Sequence, residues 1–414
     1  MIRGADHRLN WLLSSSAVSN LGDGIGKVAF PLLAATLTRD PLLIAGLSAT
    51  QFLPWLLFAL AAGTLIDKVD RRKAMIVANL GRAGVVGAMG LLVCFGTVTI
   101  WVVYAAALLI GTAETVADSA ANVLIPAVVG EDRLEEANGK LQACEIVGQT
   151  FLGGPIGSTT FAVFAAFPLL LNSAGFAVAA ALLLGLAGTY RAKAPAEPTR
   201  LRSDLAAGFA WLKRSPVLLR LLVVAGLVSL VSELAQAQLV LYALQDMRLS
   251  EAAFGLFAFV GGIGGLAGAV LAPRLIRWTS RRVVLVGGIL CCALAFAAMG
   301  ISVQPALSAI LFGLFAAAMV SANVVLGTIR HTLVPGELLG RVLGVWRTVV
   351  WGAIPVGALL GGLLTGGLGT AGRTFLVSGL LLTAIAAFAA VALRQFDLEA
   401  APVHRADKAI RSQR

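Results

Sequence analysis

Gly63-Thr64-Leu65-Ile66-Asp67-Lys68-Val69-Asp70-Arg71-Arg72-Lys73 decides the fold. A long apolar run ends at Ile66, seven residues then carry six charges, and the next apolar run starts at once. Two hydrophobic segments of membrane-spanning length are therefore joined by a very short, mostly basic turn. Short basic loops stay on the cytoplasmic side of a membrane, and so short a link makes the two spans antiparallel neighbours. Gly63 lets two helices approach closely. A carboxylate at a helix end beside cations, as Asp67 is beside Lys68, Arg71 and Arg72, can form an ion-pair latch between half-domains. The plainer reading of the same residues is a positive-inside anchor.

Composition carries this reading to the whole chain. Of 414 residues 58% are hydrophobic and 13% charged, with a mean hydropathy of +0.90. Soluble domains hold about 45–50% apolar and about 25% charged residues. The chain is therefore expected to be an all-α membrane protein. A span needs about 20 apolar residues. Twelve such segments fall near 10–38, 41–66, 74–96, 98–125, 138–164, 166–189, 217–245, 252–272, 283–301, 305–328, 342–366 and 370–393. Arg3 and Arg8 precede a first run too long for a cleaved signal peptide, so it reads as a span that stays. Glycine totals 46, and runs such as Gly261-Gly262-Ile263-Gly264-Gly265-Leu266-Ala267-Gly268 suit close helix packing.

The net charge of +11 would suggest nucleic acid in a soluble protein. Its distribution points to topology instead. An even number of spans puts both termini on one side, and that side with its loops carries 27 Lys and Arg against three, Arg39, Arg248 and Arg373, on the other. This bias makes the first side cytoplasmic and implies contact with lipid headgroups rather than nucleic acid. Cys94, Cys144, Cys291 and Cys292 lie in apolar runs without metal-ligand spacing and read as packing residues.

The chain also repeats itself. Gly268-Ala269-Val270-Leu271-Ala272-Pro273-Arg274 with Arg281 and Arg282 stands in the second half where the opening stretch stands in the first, with Ala272 in place of Asp67. Val129-Gly130-Glu131 echoes in Val334-Pro335-Gly336-Glu337, and Gly154-Pro155-Ile156-Gly157 in Ile354-Pro355-Val356-Gly357. The expected organisation is a six-helix half over 1–189, a cytoplasmic linker over 190–216, a second six-helix half over 217–393 and a tail over 394–414. In the linker, Ser203 is the expected N-cap of an amphipathic helix with Leu205, Phe209 and Leu212 on one face.

Charges inside spans cost roughly 2.5–3.5 kcal/mol each on insertion scales, so they face a cavity or a partner. Asp23 and Lys27 are four apart in span 1, on one helix face. Asp23 lies 12 residues past Trp11, roughly 18 Å into the membrane. The two are either a self-neutralising pair or a titratable carboxylate with a tuning cation. Span 4 carries Glu114, Asp118 and Asn122 as one polar stripe, with Arg82 of span 3 as the expected partner of one of them. Glu145 is expected to meet Arg347 or Lys140, and Glu233, with Gln236 and Gln238 beyond it, is the cavity candidate of the second half.

Several of these stretches resemble the major facilitator superfamily. Its pattern between helices 2 and 3 is Gly-x-x-x-Asp-(Arg/Lys)-x-Gly-Arg-(Arg/Lys), and Gly63, Asp67, Lys68, Arg71 and Arg72 match it, with Asp70 where the family usually has glycine. Gly153-Gly154-Pro155-Ile156-Gly157 resembles the Gly-Pro motif of drug–proton antiporters, where glycine and proline kink a helix that must bend. Leu124 through Gly139, the start Asn20-Leu21-Gly22-Asp23 and the linker ending Lys213-Arg214-Ser215-Pro216 are similar to the subgroup that contains enterobactin exporters, macrolide efflux pumps and Tap-like pumps. The resemblance implies two pseudo-symmetric halves with a substrate path between them. It also implies a monomeric secondary transporter of the inner membrane, driven by a proton gradient without a cofactor. Export of a small amphipathic molecule is the expected function. An importer on the same fold, and a transport-inactive receptor or scramblase, are the alternatives. No phosphate-binding loop of the Gly-x-x-x-x-Gly-Lys-(Ser/Thr) type and no catalytic triad is present, so neither an ATP-driven pump nor an enzyme is expected.

Overall fold

The computed structural model describes residues 2–66, 69–129, 134–188, 190, 201–396 and 398. All regular structure among them is helical: α1 (Ile2–Leu37), α2 (Pro41–Ile66), α3 (Arg71–Cys94), α4 (Ile100–Val129), α5 (Leu134–Glu145), a π-helical stretch (Ile146–Gly153), α6 (Gly154–Val163), α7 (Phe167–Leu184), α8 (Leu201–Arg214), α9 (Pro216–Gln236), α10 (Leu239–Leu241) with a π-helical turn (Tyr242–Asp246), α11 (Glu251–Trp278), α12 (Arg281–Ile301), α13 (Pro305–Leu333), α14 (Gly336–Leu368) and α15 (Ala371–Ala392). Nine of these, counting α9 through Asp246 as one, are long and apolar enough to cross a membrane among the described residues. With α1, α2 and the continuous run from α5 through α6 they make twelve spans, and α8 is the linker helix.

Local chemistry explains the boundaries. Proline opens α2, α9 and α13, where its missing N–H costs nothing. Asp70 caps α3 by accepting from the Lys73 N–H at 3.1 Å, and Ser280 caps α12 by accepting from the Val283 N–H at 3.1 Å. Gly369 closes α14 at φ +83°, a left-handed residue that favours glycine. Asp70, where a glycine was expected, thus has a structural task.

The backbone forms two compact units. The first comprises Met1–Pro198 and Ala237–Phe259, the second Thr199–Gln236 and Val260–Arg414. The segment 237–259 sits in the first unit because Gln238 donates to the Pro41 carbonyl at 3.2 Å and the Ser158 hydroxyl to the Ala252 carbonyl at 3.3 Å. Within the first unit α1 packs on the α5–α6 run, α2 on α4 and α3 on α7; within the second, α9 packs on α14 and α12 on α15. Close approach of α11 to α13 completes the repeat: a Cβ on Gly264 would strike the Gly313 backbone and one on Gly268 the Ala317 backbone. The glycine run singled out in the sequence is this seam.

Helix-end arginines repeat as well. Arg72 donates to the carbonyls of Leu183 (2.7 Å) and Leu184 (2.8 Å) at the end of α7. Arg282 donates to Ala390 (2.7 Å) and Arg394 (3.3 Å) at the end of α15. These last-turn carbonyls have no intrahelical partner and draw the cations to them. Arg72 thus commits Nε and Nη2 to carbonyls of its own unit, and the expected ion-pair latch turns on Asp67. The Arg71 N–H meets the Tyr190 carbonyl at 3.3 Å, and its side-chain Nε is buried without a partner. Asp67 and Lys68 lie outside the described residues, and Gly63 is described only as part of α2. Ser203 is not a cap, because α8 starts at Leu201. Its Leu212 is fully buried while Phe209 is exposed, and Gly208 packs on the Arg341 carbonyl of α14.

Candidate functional site

The first unit buries a cluster of polar side chains in its apolar interior. α1 supplies Ser19 and Asp23, α3 supplies Asn79 and Arg82 one turn apart, and α7 supplies Phe176. The Arg82 side chain is 3% exposed and that of Asp23 12%. Arg82 Nη1 donates to Asp23 Oδ1 at 2.9 Å, and Nη2 donates to Ser19 Oγ at 2.9 Å and Asn79 Oδ1 at 2.6 Å. The guanidinium carbon lies 4.2 Å from the Phe176 ring centroid. A planar fork held by three oxygens and an aromatic face is rigid, and an ionised pair at this depth needs that many partners.

This corrects two expectations. Arg82 pairs with Asp23, not with Glu114 or Asp118, and the Asn122 side chain lies outside the described residues. Lys27 does not pair with Asp23, although the two share a helix face. It donates instead to Gln149 Oε1, and Gln149 Nε2 donates to Asn20 Oδ1 at 2.6 Å. The reason is backbone proximity. Gly24 of α1 abuts the π-helical stretch so closely that a Cβ there would lie 2.6 Å from Gln149 Cα. The stretch brings Gln149 to Lys27 and leaves Asp23 to the longer reach of arginine. Gly24 makes this close backbone approach, while Gly22 faces the Asn172 and Phe176 side chains.

Gly154 and Pro155 follow directly. Pro155 occupies the first turn of α6, and a Cβ on Gly157 would lie 2.9 Å from the Ile25 carbonyl oxygen. The motif thus sits at the end of a widened helical segment rather than in an ordinary kink, and π-helical turns interrupt α-helices mostly at functional positions.

Beside the ion pair lies a cavity of about 190 Å³, lined by Asp23, Lys27, Gln51, Trp55, Glu114 and Asn172 among others. Glu114 is half-buried and makes no hydrogen bond or ion pair among the described residues. Asn172 is 2% exposed, and its Oδ1 has no partner. Aromatic walls come from Phe30, Phe52, Trp55 and Phe176. Asp118 is exposed one turn away and does not line the cavity. Glu145 accepts from Gln142 at 3.2 Å, while Lys140, one of its two expected partners, pairs with Glu136 at 2.6 Å.

The second unit has its own cavity, of about 260 Å³, lined by Glu233, Gln236, Ser232, Asn323, Trp346 and Trp351 among others. Ser232 Oγ is buried there without a partner. Gln238 turns away to the Pro41 carbonyl, so the expected Glu233–Gln236–Gln238 group keeps only its first two members.

Gln149, Asn172, Asn79 and Ser19 were missing from the sequence reading. Each is a lone uncharged polar residue in an apolar span, and that rarity was the available signal.

The sequence profile described as "transmembrane secretion effector" matches residues 5–411. The chain belongs to this family of major facilitator transporters. It is 28% identical over 354 residues to the multidrug efflux pump Tap of Mycobacterium tuberculosis, covering 81% of each chain. It is 26% identical over 346 residues to an uncharacterised transporter of this type, YfiS of Bacillus subtilis, covering 80% of this chain and 81% of that one. Among solved structures its fold is similar to a bacterial homologue of the human lysosomal transporter Spinster (TM-score 0.74, 14% identity, covering 95% and 97%). It is also similar to the nucleoside transporter NupG (TM-score 0.72, 16% identity, covering 94% and 100%). This major facilitator protein is thus a multi-pass membrane transporter and not an enzyme.

Proposed function

We propose that this transporter exports a small amphipathic molecule in exchange for protons, and that Glu114 is the carboxyl that exchanges them. The observation that carries the reading is Glu114 itself: an acid on a cavity wall, between the fixed Asp23–Arg82 pair and four aromatic rings, with no donor of its own. A carboxyl in a membrane interior takes a partner. A proton and a donor group on the cargo are the two partners that an antiporter offers in turn. Asp23, engaged by Arg82, acts as the fixed like charge that disfavours a second ionised carboxylate beside one arginine.

Efflux as the direction is supported by the printed functions of Tap and of the macrolide efflux protein A of Streptococcus pyogenes, the latter 25% identical over 144 residues, covering 33% of this chain and 36% of that one. Charge bias supports placement in the inner membrane with both termini in the cytoplasm. Protein, lipid and gradient suffice for this cycle: a monomer, without cofactor or nucleic acid. A panel of labelled macrolides, tetracyclines and organic cations, measured in cells with and without the gene, tests the direction. Lower accumulation in expressing cells is the expected result, and higher accumulation would make the protein an importer.

A further inference from the structure

Arginines near the helix ends of this chain commonly donate to carbonyls. Arg72 and Arg282 do so as described, Arg220 donates to Ala392 O at 2.7 Å and Arg373 to Leu368 O at 2.7 Å. Arg330 and Arg347 do not. Arg330, in the last turn of α13, lies with its guanidinium carbon 4.5 Å from the ring centroid of Trp346 on α14. Arg347 lies 5.4 Å from the ring centroid of Trp351, one turn further along α14. Neither makes a side-chain hydrogen bond or ion pair among the described residues. Arg330 Nε is buried without a partner, and the Arg347 charge is near enough to oppose that of Arg330.

Two like charges held together need an offset. The end of α13 supplies only about half a charge through its dipole. The indole faces favour the cations but occupy only the guanidinium planes, and they leave the N–H edges without an acceptor among the described residues. Such edges match an oxyanion, which arginine forks bind through paired charge-assisted hydrogen bonds. Charge bias assigns this end of α13 and α14 to the cytoplasmic side, where basic pockets between spans take phosphate headgroups.

We propose that Arg330 and Arg347, backed by Trp346 and Trp351, form an oxyanion site at the α13–α14 end of the second unit that takes the phosphate group of a lipid or of a soluble molecule. The site shares no residue with the Glu114 cavity and does not depend on the transport direction.

Full-length protein in phosphatidylcholine bilayers is titrated with inorganic phosphate while indole fluorescence is followed. In a parallel arm, phosphatidylglycerol with brominated chains replaces part of the lipid, with brominated phosphatidylcholine as the control. Bromine quenches an indole that it touches, and W346F and W351F assign the signal. The expected result is saturable phosphate binding, or stronger quenching by the brominated anionic lipid, that R330Q and R347Q each weaken by at least about tenfold, about 1.4 kcal/mol. R330K, which keeps the charge but loses the fork, falls between. Saturation by phosphate alone identifies a soluble oxyanion, and selective quenching without phosphate competition identifies a lipid headgroup. Arg347 is exposed, so R347Q remains informative even if R330Q does not fold. Equal responses of wild type and R347Q, with unchanged thermal unfolding, overturn the site.

Discussion

Replacing Arg82 with glutamine removes three hydrogen bonds made by a cation and a stacking contact with Phe176, and it leaves the Asp23 carboxylate, 12% exposed, without its counter-charge. Breaking a buried pair by deleting one partner costs about 3–5 kcal/mol, most of it from the charge left behind. R82Q is therefore expected to cost about that much. D23N leaves the guanidinium with Ser19, Asn79 and the ring, and costs less. The double variant R82Q/D23N has no orphaned charge and should be more stable than R82Q alone, with a coupling of about 0.5–3 kcal/mol. K27Q serves as the internal control: Lys27 bonds to Gln149, so K27Q and D23N should add without coupling. Thermal unfolding of the three single variants and the two double variants, R82Q/D23N and K27Q/D23N, purified in one detergent, reads these differences. Additive losses for Arg82 and Asp23, or a strong coupling between Lys27 and Asp23, would refute the placement of the pair.

Two further outcomes follow from the geometry. G24A puts a Cβ 2.6 Å from Gln149 Cα, and an overpacked core typically loses about 1–3 kcal/mol; unfolding at lower temperature together with slower transport is expected, and an unchanged protein would show that the π-helical stretch yields freely. Asp70 lies outside the spans: partial burial opposes its charge, but the N–H groups of Tyr190, Lys73 and Arg72 outweigh this and hold the carboxyl below its ordinary 3.8. A group whose folded value is depressed contributes stability above the unfolded value and loses it as pH falls through the folded one. D70A should thus cost about 1 kcal/mol at neutral pH as a lost cap, and the difference from wild type should shrink as pH falls below 3.8; a gap that stays constant would show that the charge plays no part.

Much of the architecture was legible in the sequence. Span count, repeat and helix seams all rest on features with a short physical range: runs of apolar residues, basic turns, and glycines such as Gly264 and Gly268. The site was legible by membership only. Asp23, Lys27, Arg82 and Glu114 stood out because charge in a span is rare, but their pairing depends on which helices touch. Sequence spacing favoured Asp23 with Lys27, four apart on one face. Tertiary packing overrode it, because the π-helical stretch places Gln149 under Lys27 and α3 carries Arg82 to Asp23. Nothing local marks Ile146–Gly153 as π-helical except the glycines at its margins. Arg72 also bonds far along the chain, to carbonyls 111 and 112 residues away, which no local pattern announces.

The central claim is that Glu114 carries the exchanged proton while Asp23 and Arg82 stay paired. It is tested most directly by E114Q in proteoliposomes, with an imposed pH gradient and the first compound that the accumulation panel shows to be exported. Gradient-driven uphill transport and downhill exchange at equal pH are measured on the same preparation. Loss of the uphill component with exchange retained is the predicted result. Uphill transport by E114Q in response to the gradient would contradict it.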